Sequence, residues 1–210
     1  ASQATNVVIF FAIAFILTVL AVYWYSRSWT LTFLPLICSL TSLVWQFGML
    51  EILGYGLDPL AILVPFLVFA IGVSHGIQQV NQITKEVIDG KSAEFAARAS
   101  FSRLIIPGSM ALITDLVGFG TLILLPITMI KELAITASIG VAFKIVTNLI
   151  MLPLAASYAR YNESFANSAQ SAISYRQNLM SYFGKLARPR QAIITLSISS
   201  VLFVGAAYLA

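Results

Sequence analysis

Charged residues are scarce in this sequence. Asp, Glu, Lys and Arg together make up 10% of its 210 residues, whereas 59% are hydrophobic. A soluble domain carries about 25% charged residues, so this chain has too few to cover a surface that faces water on every side. Several stretches reach the roughly 20 apolar residues that a membrane-spanning helix needs. The composition therefore excludes a soluble globular domain and predicts an all-α membrane protein.

Cysteine and histidine are almost absent. Cys38 is the only cysteine and His75 the only histidine, so neither a disulfide framework nor a zinc site is expected. The sequence has no glycine-rich phosphate loop followed by Lys-Ser or Lys-Thr, and no His-Glu-x-x-His. We therefore predict no cofactor, no metal and no catalytic residues. Any energy coupling is expected to use an ion gradient or another polypeptide.

Six apolar stretches predict a bundle of about six transmembrane helices. Their expected bounds are 6–25, 31–53, 59–79, 104–125, 130–158 and 191–210. We divide the chain into a five-helix transmembrane core at 1–158, a cytoplasmic linker at 159–189 and a further transmembrane helix at 190–210. Ser92 with Glu94 predicts a short helix that leads into the fourth span.

The linker carries apolar residues at helical spacing, opposite two basic ones. The apolar residues are Tyr175, Leu179, Tyr182, Phe183 and Leu186, and the basic ones are Arg176 and Lys185. This pattern predicts an amphipathic helix along the cytoplasmic membrane surface.

The distribution of Lys and Arg predicts the orientation. Ten of them lie between spans one and two, three and four, or five and six, and Lys131 alone lies on the other side. The positive-inside rule places the first group in the cytoplasm, so both chain ends are expected outside. Because no charged leader precedes the first span, we expect the chain to be part of a longer protein. The net charge of +4 does not indicate a nucleic-acid partner, because the Lys and Arg residues lie in loops that flank the membrane spans and not on one soluble face.

Asp115 and His75 are the main candidates for function. An ionisable group at mid-span costs at least about 2.5–3.5 kcal/mol on insertion scales, so each needs a reason. His75 can carry a proton near neutral pH, and Asp115 lies too deep to reach an interface. Each also has a structural interpretation. Asp115 can be satisfied by a hydroxyl or amide of a neighbouring helix, and His75 can be hydrogen-bonded at the end of its own helix.

Small and polar residues surround these candidates. Gly72 and Gly76 form a small-xxx-small pair, which lets a partner helix approach closely beside His75. Ser74 extends a polar stripe on the same helix, and Gly118 is predicted as a packing glycine of the fourth span. Direct contact between His75 and Asp115 would need tilt, a water molecule or a kink at Pro65.

Two further ionisable residues lie in or near the spans. Lys144 shares its helix face with Thr147 and Asn148, and it can either reach inward toward a carboxylate or bend toward an interface. Glu51 lies at the outer end of the second span, where solvation at the interface is expected.

Several segments resemble the transmembrane helices of resistance-nodulation-division (RND) transporters. Residues 54–78 resemble the fourth helix of that family, 111–120 the fifth, and 131–142 with 147–153 the sixth. The nearest branch is that of the hydrophobe/amphiphile and MMPL-like exporters, which are akin to the sterol-sensing domains of Patched-type proteins.

The resemblance implies a half-transporter. The six spans would correspond to family helices two to seven, with a first helix and a periplasmic domain upstream and a second transmembrane half downstream. It implies proton-driven export of lipids or other hydrophobic molecules at the bacterial inner membrane. Membrane lipids, the substrate and protons are then the expected partners, and homo-oligomerisation is left open.

The sequence departs from the family at one place. Many members have Gly-x-Asp on the fourth helix, where this chain has Gly72-Val-Ser-His75. We therefore hypothesise that His75 and Asp115 replace the usual proton relay, assisted by Ser74 and Lys144. The alternative is a sterol- or lipid-sensing or scaffolding domain without transport. An intramembrane enzyme is disfavoured, because no nucleophile–base pair or metal ligand set is present.

Overall fold

The computed structural model describes residues 2–56, 61–161, 163–184 and 189–209. Its helices are α1 (Ser2–Ser26), α2 (Trp29–Ile52), α3 (Val64–Ile88), α4 (Ala93–Thr121), α5 (Thr128–Lys144), α6 (Leu152–Ser157), α7 (Glu163–Gly184) and α8 (Pro189–Leu209). A π-helical turn, Ile145–Met151, joins α5 to α6, and short 3-10 turns occupy Ala61–Leu63 and Leu122–Leu124. The described residues contain no β-strand, which confirms the predicted all-α class.

Four of the described helical segments are long and apolar enough to cross a membrane. They are Val7–Ser26, Trp29–Ile52, Ala93–Leu124 and Thr128–Ser157. Helices α3 and α8 also occupy predicted spans but are not among these four. The second half of α3 carries His75, Gln78 and Gln79, which lower its hydropathy. The chain is therefore a multi-pass membrane protein.

Two helices are longer than their apolar stretches predict. Helix α3 continues nine residues past the predicted end at 79, and α4 begins at Ala93 rather than near 104. The Ser92 side chain accepts a hydrogen bond from the Phe95 backbone N–H and starts α4. The predicted short helix is thus the first part of α4 itself, and Pro107 inside α4 does not end it.

The expectation of a kink at Pro65 is wrong. Pro65 lies in the first turn of α3. At that position a helix has no backbone hydrogen bond to lose, so proline begins the helix rather than bending it. The predicted beginning of this span, at 59, lies outside the described residues.

The described chain forms two units, 1–169 and 170–210. In the first, α2, α3 and α5 pack together around a core that includes Leu36, Leu43, Val68 and Ala137. The short connections Arg27–Ser28 and Asp89–Ser92 make α1 and α2, and likewise α3 and α4, run in opposite directions. The second unit contains most of α7 and all of α8.

Helix α7 covers most of the predicted linker. Of the residues that define its amphipathic pattern, Lys185 and Leu186 lie outside the described residues. The side-chain positions of four others, Arg176, Leu179, Tyr182 and Phe183, are not described either. Tyr175 is 58% exposed. The predicted placement of this helix on a membrane surface stays a prediction.

Candidate functional site

Lys144 lies at the centre of the first unit. It is fully buried at the end of α5, and its Nζ donates a hydrogen bond to the Ser39 backbone oxygen of α2 at 3.1 Å. The Ser42 hydroxyl donates to the same oxygen at 2.8 Å. Of the two predictions for Lys144, the inward orientation is therefore the one adopted. Its partner is a carbonyl oxygen, however, and no carboxylate in the described ranges forms an ion pair with it.

Gly72 makes room for the Lys144 amine. A Cβ added at Gly72 would clash with Lys144 Nζ and would lie 2.6 Å from both Lys144 Cε and Ser39 Oγ. The Gly72 backbone oxygen accepts a hydrogen bond of 2.6 Å from Asn148 Nδ2 in the π-helical turn. Isolated π-helical turns within α-helices occur frequently at functional sites. Here the turn places Asn148, which is fully buried, against α3.

A second set of buried polar contacts lies further along α2 and α5. Gln46 Nε2 donates to the Thr136 backbone oxygen at 2.9 Å. Gly140 permits this contact, because a Cβ there would lie 2.8 Å from Gln46 Oε1. Thr136, Gly140 and Lys144 follow one another at intervals of four residues, so they share one face of α5. We call Ser39, Gln46, Gly72, Thr136, Lys144 and Asn148 the polar layer.

Several polar atoms of this layer lack a partner. Ser39 Oγ, Gln46 Oε1, Thr136 Oγ1 and Asn148 Oδ1 are buried and accept or donate no hydrogen bond in the part of the chain that is described. Buried polar atoms in folded proteins are nearly always paired, with protein groups or with ordered water. The layer therefore has unused capacity to bind water or another hydrogen-bond donor.

His75 and Asp115 lie near each other without touching. Both are half-buried, and their charges are close enough to interact electrostatically. No hydrogen bond or ion pair joins them within the described ranges. His75 Nδ1 is buried without a partner, whereas Ser74, the next residue on α3, is exposed. The structure thus brings His75, Asp115 and Lys144 into one neighbourhood and turns Ser74 away from it.

The three predicted packing glycines differ in their surroundings. A Cβ at Gly76 would clash with Pro35 Cβ and lie 3.3 Å from Pro35 Cα, so α2 and α3 approach closely there. Gly72 faces Lys144, as described above. Gly118 faces open space, because a Cβ there would meet no atom of the described chain within 4 Å. Close packing at Gly118 is thus not seen within this chain.

Polar contacts also hold α3 to α4 near their connecting loop. Arg103 Nη1 forms an ion pair of 2.5 Å with Glu86 Oε1, which is mostly buried. The Ser100 hydroxyl donates to the Gln79 side chain. Glu51, at the opposite end, is exposed, in line with the expectation that it is solvated.

Tyr161 lies after α6, outside the membrane-spanning segments. Its hydroxyl donates to the Ala156 backbone oxygen at 3.3 Å. Burial disfavours the charged phenolate and raises the pKa of Tyr161 to about 12.

An apolar groove of about 780 Å³ lies between α1, α2 and the beginning of α3. Its lining is entirely hydrophobic and consists of Val7, Val8, Phe11, Ala12, Phe15, Leu40, Leu43, Val44, Phe47, Ile62, Pro65 and Phe66. Phe11 packs edge-on against Phe66, with ring centroids 5.2 Å apart, and closes one side. The volume lies within the range of about 300–1,000 Å³ that is usual for small-molecule sites. The groove can hold one lipid-sized apolar molecule.

Sequence reasoning did not identify Ser39, Gln46 and Thr136 of the polar layer. Ser39, Ser42 and Gln46 recur on α2 at i, i+3 and i+7, which is the spacing of one helix face. This pattern is visible in the sequence. It indicates a buried face of α2 only once Lys144 is known to lie against that face. The groove has no polar marker, and its residues cannot be told apart from other lipid-facing residues in the sequence.

Comparison with known proteins identifies the family. The sequence model described as "Sterol-sensing domain of SREBP cleavage-activation" matches residues 24–163, a range that includes α2 to α6 and hence the whole polar layer. The chain is also 25% identical over 138 residues to a membrane protein of Methanocaldococcus jannaschii, in an alignment that covers 66% of this chain and 35% of that protein. It thus spans about a third of the length of the curated relative it matches. This chain belongs to the sterol-sensing domain family.

Proposed function

We propose that this chain is the transmembrane portion of a proton-driven exporter of lipids or other hydrophobic molecules, of the RND type and its MMPL-like branch. The observation that carries the proposal is that one helix bundle contains both an entirely apolar groove and a buried ionisable residue, Lys144. A groove without polar groups selects for hydrophobic molecules. A buried ionisable residue in a membrane helix is expensive and is commonly retained for ion movement.

The proton relay is proposed to involve His75 and Asp115, assisted by Lys144 but not by Ser74, which is exposed. The electrostatic proximity of His75 to both Asp115 and Lys144 supports this role. A proton that binds to one of these groups changes its attraction to the others, and this change can shift the helices that carry them. Because His75 and Asp115 do not touch, water would carry the proton between them.

The placement in a cell follows from the same proposal. The loops rich in Lys and Arg would lie in the cytoplasm, and both chain ends would lie on the periplasmic side of a bacterial inner membrane. The polypeptide would also contain periplasmic domains and a second transmembrane half. Its partners would be protons, membrane lipids and the transported molecule, with no nucleic acid. It would act as a secondary active transporter rather than as an enzyme.

Export by the intact protein in liposomes tests the proposal. The probe is a phospholipid with a fluorescent nitrobenzoxadiazole group, and its export is measured with and without an imposed proton gradient. We expect the gradient to accelerate export by wild type, and His75→Ala and Asp115→Asn to remove that acceleration. Gln78→Ala and Thr114→Val serve as controls, because both residues are exposed on the same two helices. Equal export by wild type with and without the gradient contradicts the proposal.

Membrane lipid sensing without transport is the second candidate. The observation that favours it is the absence of a hydrogen bond between His75 and Asp115 in the described chain, together with membership of the sterol-sensing family. In that case the polar residues hold helices together and the groove reports on lipid composition. The relay variants would then lower the free energy of unfolding, and wild type would bind lipid without exporting it.

A further inference from the structure

The polar layer has more hydrogen-bonding capacity than its residues satisfy. Ser39 Oγ, Gln46 Oε1, Thr136 Oγ1 and Asn148 Oδ1 are unpartnered within the described ranges, and these four residues are at most 1% exposed. All four atoms can accept a hydrogen bond. Each of them can therefore be satisfied by a hydrogen-bond donor, such as water or a protonated amine.

Lys144 is the ionisable group of this layer. An ammonium has three N–H donors, but Lys144 Nζ donates one described hydrogen bond, to Ser39. The titratable groups that act on it are Cys38 on α2 and His75 on α3, while Asp115 on α4 acts on His75. No described carboxylate lies within ion-pair distance of Lys144. A proton added here brings a charge that the Ser39 carbonyl oxygen stabilises in part, and water and the unpartnered acceptors would stabilise the rest.

One segment of α2 contacts both the polar layer and the groove. Ser39 and Gln46 face α5, whereas Leu40, Leu43 and Phe47, on the adjoining face, line the groove. A displacement of this segment by a charge at Lys144 therefore changes the shape of the groove. A ligand in the groove displaces Ser39 and Gln46 in return, because such coupling is reciprocal.

We propose that Lys144 binds the coupling proton beside the unpartnered acceptors of Ser39 and Asn148, and that α2 links this proton to occupancy of the apolar groove. That this proton drives transport rests on the proposed function. The linkage between the proton and the groove would apply equally to a lipid sensor. In the binding step, the lone pair of Lys144 Nζ takes a proton from a hydronium ion, which is left as water. In the release step, the proton returns to water and no other bond changes.

Equilibrium binding at two pH values tests the linkage without any transport. The probe is dehydroergosterol, a fluorescent sterol, titrated into the intact protein in detergent micelles at pH 5.5 and pH 8.5. We expect the wild-type affinity to differ about fivefold or more between the two conditions, which is the usual lower range of coupling between sites. Lys144→Met should bind with the same affinity at both pH values. Lys131→Met is the matched control, because it removes an exposed lysine from the same helix and should keep the wild-type difference.

A second variant keeps the lysine and displaces it. In Gly72→Ala the new methyl group meets the far end of the flexible Lys144 side chain and the Ser39 hydroxyl. The amine should then leave the Ser39 carbonyl oxygen while the fold is kept. We expect the pH dependence of sterol affinity to fall at least twofold, and Gly118→Ala, at an open position, to leave it unchanged.

The outcomes separate this proposal from the proposed function. A pH dependence that Lys144→Met retains overturns the assignment of Lys144, even if export is driven by the gradient. A wild-type affinity that does not change with pH, or no sterol binding at either pH, overturns the linkage. If Lys144→Met loses the pH dependence but the protein exports nothing, the assignment of Lys144 stands and the proposed export function is wrong.

Discussion

Substitution of Gly76 by alanine tests how tightly α2 and α3 pack. The new Cβ would clash with Pro35 Cβ and lie 3.3 Å from Pro35 Cα and 3.4 Å from Leu152 Cδ1. Pro35 lies inside α2, and its ring and backbone cannot move aside as a flexible side chain can. Overpacking of this kind costs about 1–3 kcal/mol. We therefore expect Gly76→Ala to force α2 and α3 apart.

Gly118→Ala is the matched control for this prediction. Both glycines lie inside helices, so both substitutions gain the same helix propensity, of up to about 1 kcal/mol. Gly118 has no described atom within 4 Å of the new methyl group. The difference between the two variants thus isolates the steric cost, and Gly76→Ala should be less stable than Gly118→Ala by about 1–3 kcal/mol.

The assay is chemical unfolding of the intact protein in mixed micelles, with the free energy of unfolding obtained for wild type and both variants. Equal free energies of unfolding for the two variants would contradict this prediction. The helices would then be able to separate at Gly76 without cost, and the close approach at Pro35 would not contribute to the fold.

Two further predictions concern the ends of the helices. Arg103→Ala leaves the buried Glu86 carboxylate without its cation and should lower the free energy of unfolding by about 1–3 kcal/mol. Arg98→Ala, which breaks an exposed pair with Glu94, should cause no measurable loss, and equal losses in both variants would contradict this prediction. Tyr161 has a folded pKa of about 12, above the unfolded value of about 10. Its contribution to stability is therefore complete below about pH 10 and is lost as the pH rises toward 12. Tyr161→Phe should remove that part of the pH dependence of the unfolding free energy, and an unchanged profile would contradict the assignment.

The positions of the helices could be predicted, because long apolar stretches leave few other structures in a bilayer. Their lengths could not. Residues 81–103 are polar, and hydropathy alone assigns them to a loop, yet they extend α3 and begin α4. The Glu86–Arg103 pair and the Ser100–Gln79 contact stabilise these extensions, and both depend on which helices are neighbours. Hydropathy along a single segment contains no such information.

The site could be predicted in part. His75, Asp115 and Lys144 are ionisable residues in apolar stretches, which is visible in the sequence. Their relative burial is not visible, because it depends on which face each helix turns inward. Sequence reasoning favoured His75 and Asp115, which are half-buried, whereas Lys144 is completely buried. The i, i+4 spacing of Gly140 and Lys144 indicates a tightly packed face of α5. The residue that packs against Gly140, Gln46, could not be identified from the sequence.

The apolar groove was not predictable either, since its residues come from three successive helices whose mutual packing the sequence does not show. It depends on the gap that α1, α2 and the beginning of α3 leave between them. The aromatic contacts of Phe11 with Phe66 and Phe69 hold one side of that gap.

Photolabelling shows whether the groove binds a lipid-like molecule. A photoactivatable sterol is added to the intact protein in membranes, and the labelled peptides are mapped by mass spectrometry. Ala12→Phe places a ring inside the groove, whereas Ala21→Phe places one on an exposed position of the same helix outside it. We expect label on groove residues of α1 and α2, lost in Ala12→Phe and kept in Ala21→Phe. Label spread over the exposed apolar residues of α1 and α4, and unchanged in Ala12→Phe, would contradict this expectation.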